Sequence, residues 1–77
     1  MPESRITLYT RPGCHLCEDA KRALDQIGEP WTEVDITGDA DLEGDYAEMI
    51  PVIMLDGRIH GYYRVEAERL LRDLHHG

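Results

Sequence analysis

The sequence has only two cysteines, no run of lysine or arginine, and no long apolar stretch. Each absence closes a class of answer. Cys14 and Cys17 are the only thiols, and a bond between them would close a tiny loop. Such a loop removes little entropy from the unfolded chain, so the pair cannot staple the fold as the disulfide frameworks of small secreted domains do. Lys and Arg together number 8 against 16 Asp and Glu, a net charge of −8. That balance repels nucleic-acid phosphates and anionic membranes, and neither is expected as a partner. The longest apolar stretch, Met49 to Leu55, is far below the ~20 residues that span a bilayer. Behind Met1-Pro2-Glu3-Ser4-Arg5 there is no apolar signal core. The expectation is a soluble, monomeric protein of a reducing cytoplasm, where a cysteine pair is more often catalytic or metal-binding than structural. Repeats, linkers and low-complexity segments are also missing, so residues 1–77 are read as a single domain. A domain of this size buries only about 60% of the surface its unfolded chain exposes, which predicts a thin stability margin.

What is present reads as alternating strands and helices. Arg5 to Tyr9 alternates, with Ile6 and Leu8 on one side, and predicts a strand. Thr10-Arg11-Pro12-Gly13 breaks it. Leu16, Ala20, Ala23, Leu24 and Ile27 then fall on one helical face. Gly28 stands where a C-terminal cap belongs and Pro30 prevents continuation. Thr32, Val34 and Ile36 alternate with Glu33 and Asp35, a second strand that completes a βαβ unit with parallel strands. Leu42, Tyr46 and Met49 predict a short helix, weakened by Gly44. Pro51 to Leu55 predicts a buried strand, Asp56-Gly57 a hairpin turn, and Arg58 to Tyr62 the returning strand. A last helix starts near Val65, with Ala67, Leu70, Leu71 and Leu74 facing inward, and His75-His76-Gly77 trails off. The order is β-α-β-α-β-β-α.

A C-x-x-C by itself is half of a zinc site, a redox dithiol, or chance. Position separates these readings: here the motif follows a predicted strand and opens a predicted helix of a βαβ unit. Cys14 is then expected at the helix N-terminus, where free N–H groups and partial positive charge favour a thiolate. Arg11 adds to this, and Glu18 and Asp19 oppose it. The i, i+3 spacing sets both sulfurs on one face of the first turn, close enough to join. Cys14 is expected to be exposed and to attack first, with Leu16 and Ala20 packed inward and Cys17 a turn deeper to resolve the mixed disulfide. Pro51, at the head of a strand, is a candidate cis-proline. A structural zinc site wants four ligands, and His15, His60, His75 and His76 add no second paired motif. No metal is therefore assigned, although a zinc or iron–sulfur site shared between two chains stays open.

Together, Leu8-Tyr9-Thr10-Arg11-Pro12-Gly13-Cys14-His15-Leu16-Cys17, Ala20-Lys21, Val34-Asp35-Ile36, Ile50-Pro51-Val52-Ile53 and Asp56-Gly57 resemble the glutaredoxin and thioredoxin families, within them the small single-domain glutaredoxin-like proteins with a C-x-x-C. The resemblance covers nearly the whole chain. It implies a thioredoxin-like α/β fold with a four-stranded mixed sheet of order 2-1-3-4. The first and third helices would lie on one face and the second on the other. It also implies that Pro51 is a cis-proline beside the dithiol, that the Ile50 backbone pairs with an extended substrate, and that Arg11 and Tyr9 stand at substrate-binding positions. Two departures are visible. His60-Gly61-Tyr62-Tyr63-Arg64-Val65 lacks the paired glycines and the following Asp with which glutaredoxins grip the γ-glutamyl end of glutathione. His15-Leu16 replaces the Pro-Tyr or Gly-Pro common between the cysteines. A protonated His15 would stabilise the reduced thiolate and make the dithiol more oxidising at lower pH.

The expected function is thiol–disulfide exchange, with Cys14 as nucleophile and Cys17 as resolving thiol. No cofactor is bound. The partner is a disulfide-containing protein or a glutathione mixed disulfide, and glutathione or a thioredoxin-type reductase returns the electrons. Two other classes remain: a binding module docking partners through Ile50-Pro51 and one exposed member of the Tyr62-Tyr63 pair, and a metal or iron–sulfur carrier. Outside the motif the residue readings are plainer. Met49, Met54, Trp31 and Tyr46 are expected in packing, His60 as an ordinary strand side chain, His75 and His76 in solvent, and Asp39 to Asp45 as a solvated face.

Overall fold

The structure, a computed structural model, describes residues 4–76, apart from the side chain of His76. The expectations placed on Met1 to Glu3 and on Gly77 lie outside the described residues. Seven elements follow the expected order: β1 (Ile6–Thr10), α1 (His15–Ile27), β2 (Trp31–Asp35), α2 (Ala40–Tyr46), β3 (Val52–Leu55), β4 (Arg58–Tyr62) and α3 (Ala67–His76). The strands form one mixed sheet in the order β2-β1-β3-β4. β1 and β2 are parallel, whereas β1–β3 and β3–β4 are antiparallel. This is the thioredoxin-like arrangement of four strands and three helices.

Local chemistry sets the breaks. Gly28 caps α1 with φ 84°, a left-handed conformation that costs glycine nothing. Asp56 and Gly57, both at positive φ, make the tight β3–β4 turn whose twist matches that of the strands. Asp39 caps α2 by accepting the amides of Asp41 and Leu42, both at 3.1 Å.

The main core lies between the sheet and the α1–α3 layer. Ile6, Leu8 and Ile53 project from the sheet onto Ala20 and Leu24 of α1 and Leu70 and Leu74 of α3. Tyr9 points to the opposite face, where its ring stacks on Tyr46 of α2 with centroids 5.0 Å apart. The helices thus divide between the two faces of the sheet as the resemblance implied.

Several local expectations change. Leu16 does not pack inward; it is 46% exposed, because the buried face of α1 runs through Cys17, Ala20 and Leu24 and leaves Leu16 one residue off it. Cys17 takes the buried position instead. Ala67, expected on the inner face of α3, is exposed at the helix start, one turn before Leu70 reaches the core. α3 continues through His75 and His76 rather than trailing off. Thr32 is exposed because β2 is an edge strand, and Trp31 packs against the core and donates its indole N–H to Asp25 at 3.0 Å. Both Tyr62 and Tyr63 are exposed, not one of them. Tyr63 leaves the strand with φ 70° and so escapes strand alternation. His60 is more than a strand side chain. The β3–β4 register slips between Ile53 and Met54, and the extra residue of a bulge is re-aimed out of the ladder. The His60 ring, 8% exposed, bonds Asp73 of α3 at 2.7 Å.

Candidate functional site: a dithiol at a helix N-terminus

The tight turn at Pro12-Gly13, with Gly13 at φ 76°, brings the chain from β1 into α1. Cys14 is the N-cap of that helix. Its sulfur stands where a capping oxygen usually does and accepts the backbone N–H of Cys17 at 3.2 Å. It is half-buried, whereas Cys17, one turn on, is 1% exposed; both are free thiols. Burial pushes the Cys17 thiol up to about 12, helped by its hydrogen bond to Cys14 and the charge of Cys14. The Arg11 backbone and the Lys21 charge pull it the other way.

Around the sulfurs lies a second, smaller apolar cluster. Cys17, Ile36 and Ile50 form it, with Tyr9, Cys14, Leu42 and Tyr46 packed against them. Of the residues singled out from the sequence, Tyr9, Cys14, Cys17 and Ile50 are therefore brought together. Pro51 is buried and follows a cis Ile50–Pro51 peptide bond. Its carbonyl accepts the Tyr63 amide at 2.8 Å. Arg11 and His15 are exposed, and among the described residues neither side chain takes part in a hydrogen bond or ion pair. Arg11 reaches Cys17 through its backbone, not through its guanidinium.

Three residues escaped the sequence reading as a group. Thr10, buried at the end of β1, donates its hydroxyl to Glu33 at 2.8 Å, and Glu33 pairs with Lys21 at 2.9 Å. Lys21 holds the Glu33 carboxyl below the usual range, and its own pKa is raised mainly by the same bond. Lys21 stands four residues after Cys17, a spacing visible in the sequence. Glu33 joins only because the parallel register sets β2 beside β1. Among the described residues no three His, Cys, Asp or Glu side chains come together to hold a metal ion, and no helix is long and apolar enough to cross a membrane.

The burial contrast has a direct chemical readout. A buried thiol whose pKa is raised this way stays protonated near neutral pH. Iodoacetamide added to the reduced native protein near neutral pH is therefore expected to alkylate Cys14 alone, with Cys17 reacting only after denaturation. Peptide mass spectrometry locates the adduct, and comparable labelling of both sites would contradict the geometry.

A thioredoxin-type sheet with two thiols in the first turn of α1 defines a thiol-oxidoreductase-like module. The chain belongs to the glutaredoxin-like domain family (DUF836), whose family model matches residues 5–75. An uncharacterized protein of Mycobacterium tuberculosis is 30% identical over 83 residues, covering 96% of this chain and 86% of that protein. The X-ray structure of protein XcR50 from X. campestris is 36% identical and superposes with a TM-score of 0.79, covering 94% of this chain and 97% of that one. The holo form of glutaredoxin C1 from Populus tremula x tremuloides shares the fold, with a TM-score of 0.68 at 18% identity over 91% of this chain and 70% of that chain.

Proposed function

We propose that the protein is a thiol–disulfide oxidoreductase in which Cys14 is the nucleophile and Cys17 the resolving thiol. The observation that carries this reading is the asymmetry of the pair: one half-buried sulfur at a helix N-terminus and one fully buried sulfur a turn behind it.

The Cys14 thiolate attacks one sulfur of a substrate disulfide R–S–S–R′. A Cys14–S–S–R bond forms, the S–S bond of the substrate breaks, and R′S⁻ leaves and takes a proton from water. Cys17 then loses its proton and attacks the Cys14 sulfur, which releases RSH and leaves a Cys14–Cys17 disulfide. Two electrons pass to the substrate. A thiol reductant, glutathione or a dithiol protein, returns them.

The causes that keep Cys17 protonated give this sequence an order. Two of them, the hydrogen bond and the charge, come from Cys14 itself. The charge is lost and the hydrogen bond weakened when Cys14 is tied up in a mixed disulfide. Burial is then opposed by the Arg11 backbone and the Lys21 charge alone. Cys17 becomes easier to ionise at the moment its thiolate is needed. Ile50, packed against the sulfurs, is the backbone on which an extended substrate would pair. On the same reading Arg11 and Tyr9 would contact that substrate.

The test is electron stoichiometry. Fully reduced protein mixed with excess 2-hydroxyethyl disulfide, a small uncharged substrate, is expected to release two thiols per chain and to end with a Cys14–Cys17 bond, read by mass. Release of no thiol, or an end product in which each cysteine carries its own adduct, would overturn the reading.

A further inference from the structure

Of the 8 Lys and Arg residues only one is a lysine, Lys21. Three elements set its place. On α1 it stands four residues after Cys17, so the two side chains share a helix face. Helical side chains lean toward the N-terminus, and Lys21 does so: its Nζ lies 3.5 Å from Oε1 of Glu18, the residue next to Cys17. The ammonium thus hangs back toward the turn that holds the buried thiol. From β2, Glu33 takes the same ammonium at 2.9 Å. From β1, Thr10 fixes Glu33 by donating its hydroxyl at 2.8 Å.

Thr10 also ties this charged chain to the cysteines. It is 2% exposed, and its carbonyl accepts the amide of Ile36 at 2.9 Å. Ile36 packs with Cys17 in the smaller apolar cluster. Stability alone gives little reason for such an anchor. Lys21 and Glu33 are 28% and 40% exposed, and pairs near the surface contribute little once the ordering of both side chains is counted.

The groups around the buried sulfur are few. Cys17 faces Cys14 and Lys21 on its own helix, and Tyr9 of β1 and Tyr46 of α2 pack against its cluster. Glu18, Glu33 and Asp35 surround Lys21 in turn. Among the described residues Lys21 is the cationic side chain that acts on the Cys17 sulfur, and its charge eases ionisation.

We propose that Lys21 is a positioning residue for the resolving half of the exchange: its ammonium, held by Glu33 and Thr10, supports the negative charge that Cys17 takes on to attack Cys14. The inference rests on the oxidoreductase reading. In that step the Cys17 thiol gives its proton to water and the thiolate attacks the Cys14 sulfur of Cys14–S–S–R. The Cys14–Cys17 bond forms, the mixed disulfide breaks, and RS⁻ leaves and takes a proton from water. Lys21 keeps its own proton throughout. Glu33 holds it in place and limits its pull by sharing the charge.

Removing a nearby opposite charge raises a thiol by about one unit or more. Each unit removes about tenfold of the thiolate and restores about threefold in nucleophilicity. Lys21→Met is therefore expected to slow the second step about three- to tenfold near neutral pH, with little change in the first.

Rapid mixing of reduced protein with excess 2-hydroxyethyl disulfide separates the two steps. Release of the first thiol scales with disulfide concentration and release of the second does not. Acid quenching followed by mass measurement counts the mixed disulfide between them. In Lys21→Met the mixed disulfide should accumulate, and the deficit in the second release should shrink as pH rises and Cys17 ionises unaided. Lys21→Arg, which keeps the charge, should restore the rate. Arg72→Gln, an equal loss of positive charge on α3, should leave it unchanged. Glu33→Gln keeps a hydrogen-bonding group beside Thr10 and Lys21 and removes the opposing charge, so its second release should be faster near neutral pH. A Lys21→Met protein whose second release is unchanged, slowed equally with the first, or slowed by one factor at every pH would overturn the proposal. So would a slower second release in Glu33→Gln. If the unaltered protein releases both thiols and the variants behave in that way, only the role of Lys21 falls. If the unaltered protein releases no thiol, the oxidoreductase reading falls and this role falls with it.

Discussion

Cys14→Ser is expected to bring disulfide reduction down to the uncatalysed background, whereas Cys17→Ser is expected to perform the first half of the reaction and stop. A cysteine side chain is a few per cent thiolate at neutral pH, and a serine hydroxyl is effectively never ionised. Replacing sulfur by oxygen at the N-cap keeps a hydrogen-bond acceptor for the Cys17 amide, now bonded at 3.2 Å. The helix start should therefore survive, and the loss is one of chemistry. In Cys17→Ser the Cys14 sulfur is intact, so a mixed disulfide with the substrate should accumulate to one adduct per chain, visible as a mass increase that dithiothreitol reverses. Circular dichroism on both variants checks the fold. A Cys14→Ser protein that still turned over substrate would refute the proposed roles. If it lost turnover and still held a protein partner with undiminished affinity, exchange and docking would prove separable on this scaffold.

The second large effect is on stability. Leu70→Ala is expected to cost about 2–5 kcal/mol, the range for deleting a large aliphatic side chain from a closed core. Leu70 is fully buried and packs between the sheet and α1 in the cluster with Leu8, Leu24 and Ile53. A chain of this length has a total stability of roughly 4–12 kcal/mol, so the loss is a large part of the whole. Urea unfolding followed by the fluorescence of Trp31, half-buried against that core, should show the midpoint fall sharply. Leu16→Ala is the matched control. Leu16 is 46% exposed, and its truncation should change stability by no more than about 0.5 kcal/mol. A Leu70→Ala protein as stable as Leu16→Ala would mean that α3 is not locked onto the sheet as described.

The contrast between Leu16 and Leu70 also marks where sequence reasoning stops. Both lie on apolar helical stripes. Periodicity reports which residues share a helix face. Which edge of an apolar stripe turns inward depends on how the helix is rotated against what it packs on. Leu70 packs with Leu8 and Ile53 of the sheet, whereas α1 turns Cys17, Ala20 and Leu24 inward and leaves Leu16 outside. The Tyr62-Tyr63 pair fails for a related reason. Alternation applies while the chain is a strand, and the positive φ at Tyr63 ends it. His60 was misread because a bulge shifted the β4 register, and the partner it gained, Asp73, lies on another element. The Lys21–Glu33–Thr10 chain likewise needed the pairing of β1 with β2 to bring an acid from one strand to a base on a helix.

From its sequence alone this protein's element order, the parallel start, the hairpin turn at Asp56-Gly57, and the place of both cysteines at a helix entrance were determined, because each follows from spacing along the chain, turn chemistry and capping within a few residues. Only the tertiary structure decided how completely Cys17 is shut away from water, which apolar side chains stay exposed, and that Glu33 joins Lys21 and Thr10. Burial and electrostatic environment are set by residues distant in sequence, and a linear pattern does not record what comes to lie beside it in space.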